Sequence, residues 1–174
     1  MTRRMIALLT LTLVLAGCTG TPKGIEPVTD FNKDRYLGTW YEIARLDHSF
    51  EEGLSQVTAE YTENDDGSIR VINRGYNAET GEWEEVEGRA VFVGDSDTGH
   101  LKVSFFGPFY ASYVIFALDS EYSWAYITGY NRDYLWLMAR TPHASEALLN
   151  DFKDTARAKG FDLDELILVD QSRP

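Results

Sequence analysis

One cysteine and three histidines are all that this 174-residue chain holds of those types. With Cys18 alone, no disulfide can form within the chain, so the fold must stand on its packing. His48, His100 and His143 are scattered without metal-ligand spacing, and no Gly-x-Ser-x-Gly elbow is present. The expectation is therefore no metal, no cofactor and no enzyme. Basic residues are also scarce, 16 against 28 acidic, for a net charge of −12. That excludes nucleic acid as a natural partner and disfavours electrostatic docking on anionic lipid.

What is present is enough apolar and aromatic material, 44% and 13%, for one domain with a real core. The first residues stand apart. Arg3 and Arg4 precede an apolar run over 5–15, too short to span a bilayer. Leu15-Ala16-Gly17-Cys18 then resembles a lipobox, in which the Cys is acylated and becomes the first mature residue. The alternative is an ordinary export signal with an incidental Cys. Thr19 in place of Asp favours sorting to the outer membrane of a Gram-negative cell, on the periplasmic face. Removing residues 1–17 takes away two arginines and no acid, so the mature charge is −14. A lipid on Cys18 also leaves no thiol for catalysis. Residues 18–33, with Gly20, Pro22, Gly24 and Pro27, read as a tether. The folded domain is expected over 34–174.

Within it, short segments of period-2 alternation recur with turn signals between them, the rhythm of an all-β barrel or sandwich. Strands are predicted over 38–45, 56–63, 68–76, 84–93, 100–106, 112–118, 123–130 and 134–140. The first places Trp40, Glu42 and Ala44 on one face and Tyr41, Ile43 and Arg45 on the other. Small residues on inward faces (Ala44, Ala59, Gly88, Ala90), interleaved with Phe92 and Phe105, suit a barrel that leaves a cavity. After Thr141-Pro142 the period changes. Pro142 suits a helix start, Leu148, Leu149, Phe152 and Ala156 share a helical stripe, and Gly160 is a stop. A last short strand is expected over 166–169.

The Gly38-Thr39-Trp40 opening resembles the Gly-x-Trp signature of the lipocalin family. Further matches are Asn73-Arg74-Gly75-Tyr76, Lys102 through Tyr110, and Asn131-Arg132-Asp133-Tyr134-Leu135-Trp136. The chain is most similar to the bacterial outer-membrane branch, close to apolipoprotein D. Ser120 departs from that pattern, which has Tyr there; Tyr122 stands two residues on. The resemblance implies an eight-stranded up-and-down antiparallel barrel with one C-terminal helix outside. It implies that Trp40 closes the base, with Arg140 packed over it. It also implies a fatty acid or lysophospholipid as ligand, in a monomer or weak homodimer anchored to the membrane through Cys18. The wall residues expected for that ligand are Phe92, Phe105, Tyr113 and Trp136, with Tyr110 at the rim of a Phe106-Gly107-Pro108-Phe109-Tyr110 loop. Trp136 shares a face with Arg140. Glu42 is the one interior carboxylate, with Arg140 as its candidate partner. Two other readings stay open: a barrel enzyme acting on a hydrophobic substrate, and a structural lipoprotein whose barrel is filled by side chains.

Overall fold

The computed structural model describes residues 19–172; Cys18 and the segment 1–17 lie outside the described residues. Eight strands run in order around a closed antiparallel barrel: β1 (Gly38–Leu46), β2 (Leu54–Glu63), β3 (Ile69–Asn77), β4 (Glu82–Phe92), β5 (His100–Ser104), β6 (Ala111–Leu118), β7 (Trp124–Thr128) and β8 (Leu135–Ala139). Each pairs with the next, and β8 returns to β1. Closure removes the free strand edges that an open sheet would expose. A short helix α1 (Lys33–Tyr36) precedes the barrel, and Asn32 caps it by accepting from the Arg35 amide. Helix α2 (Glu146–Ala158) and strand β9 (Leu166–Leu168) follow. Tyr41–Arg45 of β1 face β8 on one edge. The other edge is taken first by β2, at residues 38–41, and then by β9, at 44–46.

The barrel wall separates two apolar clusters. The inner one holds Trp40, Ala59, Val71, Ala90, Ile127 and Met138. The outer one lies under α2 and holds Ile43, Ala44, Leu137, Phe152 and Ala156. The helix starts later than Pro142 suggests. Ser145 is its cap, accepting from the Leu148 amide, and Thr141-Pro142 belongs to the turn before it. Serine at this position satisfies an amide that proline could only leave out.

In β1 the expected alternation fails after Glu42. The register against β8 shifts between Glu42 and Ala44, a bulge of one residue. An extra residue turns every later side chain to the opposite face. Ala44, expected inside, therefore joins the outer cluster, and Arg45, expected outside, is buried on the inner side.

Residues 19–33, read as a tether, are packed instead. The Val28 amide donates to the Ile115 carbonyl and the Val28 carbonyl accepts from the Gly99 amide, Ile25 is fully buried, and Phe31 enters the inner core at the closed end. Their Pro and Gly content suggested a loose linker, but their three apolar side chains find sites on the barrel.

Trp40, Tyr36, Phe31, Phe92 and Tyr122 plug that end. The Arg140 guanidinium lies 4.0 Å over the Trp40 ring. It donates to the carbonyls of Arg35, Leu37, Thr39 and Tyr122. Trp40 Nε1 donates to the Tyr36 carbonyl at 2.8 Å. Gly38, at φ 97°, is required here, because a Cβ would stand 3.3 Å from Arg140 Nη1 in a backbone region that L residues avoid. Trp40→Ala should destabilise the fold by about 3–5 kcal/mol in urea melts, as for other large buried aromatics. A loss under about 1 kcal/mol would show that the ring is not a plug.

Candidate functional site

Above the Trp40 plug the barrel is hollow. A cavity of about 620 Å³ runs from the floor to a mouth ringed by the loops at 47–53, 105–110 and 129–134. Its walls are mainly apolar, among them Val57, Val71, Leu101, Val103, Phe105 and Met138. The Phe105 ring lies across Gly88, where a Cβ would come within 2.6 Å of it. Glycine at that position gives the ring its seat.

Of the residues expected on the wall, Phe105, Tyr113 and Trp136 line the cavity, and Tyr110 stands at its rim with Lys102 Nζ 5.2 Å from the ring centre. Phe92 does not line it. Phe92 points inward but is the last residue of β4, at the closed end, and packs edge-on against Phe31 at 6.1 Å. Its face was legible; its height in the barrel depended on where β4 ends. Tyr113 forms the floor: its hydroxyl bonds those of Tyr36 at 2.7 Å and Tyr61 at 2.9 Å. Burial raises the pKa of all three phenols, which therefore stay neutral.

Sequence reasoning missed the polar cluster on the wall beneath the mouth. The bulge in β1 brings Arg45 to Glu42, Nη1 to Oε1 at 2.8 Å, both almost fully buried. Glu42 therefore pairs with Arg45, not with Arg140. The second Arg45 arm donates to the carbonyls of Glu51 and Leu54. Glu51, from the 47–53 loop, turns its carboxyl inward and accepts from Trp136 Nε1 at 3.2 Å. His48 packs on Trp136, with ring centres 4.9 Å apart. The only hint was the Glu42-x-x-Arg45 spacing, which a regular strand puts on opposite faces and only a bulge brings together.

Two carboxyls thus lie near one guanidinium, which bonds the carboxyl of Glu42 and the backbone carbonyl of Glu51. Burial pushes Glu42 well above the ordinary carboxylate range, the Glu51 charge pushes it further, and Arg45 opposes both. Burial also raises Glu51, against the Trp136 hydrogen bond and Arg45. Burial and the Arg45 charge lower His48 to about 4, so its ring is neutral at physiological pH. Arg45 Nε, both His48 ring nitrogens and Asn73 Oδ1 are buried with no hydrogen-bond partner among the described residues. No group of three His, Cys, Asp or Glu is placed to hold a metal among those residues. The arrangement is an apolar tube with a small polar patch near its open end, suited to an amphipathic guest.

The two carboxyls should make stability depend on pH. A carboxyl whose folded pKa exceeds its unfolded value stabilises the fold below the ordinary carboxylate range. That contribution fades as pH rises through the folded value. His48 acts in the opposite direction: neutral in the fold down to about 4, it costs stability as pH falls from the usual imidazole range. Glu51→Gln keeps an acceptor for Trp136 and leaves Arg45 one carboxylate partner. Between about pH 5 and 8, urea midpoints of the wild type should fall more steeply with pH than those of the variant. Parallel slopes would show that Glu51 holds no raised proton.

Comparison with known proteins agrees with this geometry. A family model described as the lipocalin-like domain matches residues 31–171. The outer membrane lipoprotein Blc of Vibrio cholerae is 55% identical, covering 97% of this chain and 99% of its own length. The protein of the same name from Escherichia coli K12 is 46% identical, with 96% of each covered. Apolipoprotein D of Mus musculus is 30% identical, with 97% of each covered. Among solved structures, insecticyanin of the tobacco hornworm Manduca sexta superposes with a TM-score of 0.71 at 21% identity, covering 88% of each chain, a likeness of fold. The bacterial relatives place the protein in the outer membrane of the Gram-negative envelope as a lipid-anchored protein. With the barrel, the Gly-x-Trp plug and a family match over nearly the whole described chain, the protein belongs to the lipocalin family.

Proposed function

We propose that the protein binds a fatty acid or lysophospholipid in its barrel and stores or carries it at the cell envelope, held there by acylation of Cys18. The observation that carries this reading is the cavity itself. About 620 Å³ of mainly apolar, one-ended space lies within the roughly 300–1,000 Å³ of small-molecule sites. A long acyl chain buries each methylene for roughly 0.8 kcal/mol, so the gross gain is on the order of 10 kcal/mol before ordering costs. The chain lies lengthwise, its end on the tyrosine floor and its head near Glu42, Glu51 and the rim. A barrel filled by its own side chains would leave no such volume. The titratable groups in the wall bind the protein's own groups, Arg45 and Trp136, and this supports binding rather than turnover.

Titration with a lysophospholipid should shift Trp fluorescence, and Trp136→Phe should remove most of that signal while the fold persists. Trp136→Ala should weaken binding by about 1–3 kcal/mol, the scale of one large apolar side chain. Unchanged affinity would take Trp136 out of the site, and no saturable binding of any long-chain lipid would end the transport reading. Intact-mass analysis of the native protein should find residues 1–17 absent and Cys18 acylated.

A further inference from the structure

We infer that the floor of the cavity donates a hydrogen bond to the far end of its guest, so that the preferred ligand is a long-chain lipid carrying a neutral oxygen, a ketone or a hydroxyl, near its methyl end. The inference rests on the reading of the cavity as the site of one acyl chain laid lengthwise.

Three phenols from three elements meet at the closed end: Tyr36 of α1, Tyr61 of β2 and Tyr113 of β6. The Trp40 ring packs against that of Tyr36, with centres 4.7 Å apart. All three phenols border the cavity, and Tyr36 and Tyr61 are otherwise buried. The Tyr113 hydroxyl bonds that of Tyr36 at 2.7 Å and that of Tyr61 at 2.9 Å, and these are the bonds the three hydroxyls make among the described residues.

Each phenol has one proton to donate and can also accept. Two bonds among three hydroxyls use two protons, so one O–H is left over. If donation runs from Tyr36 through Tyr113, the spare proton is on Tyr61. In the reverse direction it is on Tyr36. If both outer hydroxyls donate to Tyr113, it is on Tyr113 itself. The neighbouring wall does not take it. Val71 stands opposite Tyr61, and Leu101 opposite Tyr113; neither side chain has a polar atom. Asn73 Oδ1, two residues along β3 from Val71, accepts no bond among the described residues. A buried donor without a partner is costly, and an oxygen on the guest removes that cost.

Charge says which oxygen. Burial raises the pKa of all three phenols, so none is a phenolate. Arg140, packed on Trp40, donates to four backbone carbonyls. A carboxylate at this depth would find no free counter-ion, and burying it would cost far more than one hydrogen bond restores. A bare methyl end would leave the donor unpaired. A ketone or hydroxyl meets the spare proton without bringing a charge.

The test uses the whole protein and two lysophosphatidylcholines. One has a plain hexadecanoyl chain; the other carries an isotopically labelled ketone one carbon from the methyl end. The charged head stays out of the apolar floor, so the ketone is the end that reaches it. On binding, its infrared carbonyl band should fall below its position in dry alkane, and a labelled ketone at mid-chain should not shift. Replacing all three tyrosines together (Tyr36→Phe, Tyr61→Phe and Tyr113→Phe) removes the donor, whereas any single replacement leaves at least one O–H spare. Exchanging every partner for an apolar group of the same shape is close to neutral for stability. In that variant the band shift should be lost. The ratio of ketone-lipid to plain-lipid affinity should fall roughly tenfold from its wild-type value. An unshifted band in the wild type, or the same ratio in both proteins, overturns the inference and leaves lipid binding in the cavity standing. The wild-type band decides alone where the variant does not fold or bind. If neither lipid binds the wild type, the cavity reading fails and this inference with it.

Discussion

The Arg140 guanidinium holds the closed end together. Its planar fork donates to carbonyls from α1 and its C-terminal turn, from β1, and from the turn before β7, while its face covers the Trp40 ring. A barrel with one cysteine has no covalent cross-link to fix where its ends meet. Here one cation satisfies backbone acceptors that would otherwise be left bare where strands end. Lysine could not do this, because a point charge lacks the rigid, multi-donor fork. The rings of Phe31, Tyr36 and Tyr122 add area around Trp40, so the base is dense and the volume left empty lies wholly above it.

That emptiness sets the demands on the rest of the wall. In a packed core, buried polar groups would be bonded to neighbours. In this cavity Asn73 Oδ1 has no hydrogen-bond partner among the described residues, and it borders the space a guest would fill. The Glu42–Arg45–Glu51 cluster is costly to bury, yet two of its members are tied to other elements: Arg45 to the 47–53 loop, Glu51 to Trp136 on β8. The loop over the mouth is thereby joined to the wall, on the Arg45 side by bonds from a charged donor.

Much of this was legible in the sequence because a barrel wall has only two faces and alternation reads them. Val57, Ala59 and Tyr61 on β2, and Ala90 and Phe105 beyond it, face where their parity says. Parity fails at a bulge, and a bulge has no residue signature, so Arg45 was placed outside and Ala44 inside. Parity also gives no height: Phe92 has the right face at the wrong level. The 47–53 loop was opaque because its inward groups, Glu51 and His48, are polar and look like solvent residues until Arg45 and Trp136 are seen to meet them. Residues 19–33 were misjudged from Pro and Gly content, which marks turns and does not show whether Val28, Ile25 and Phe31 have somewhere to pack.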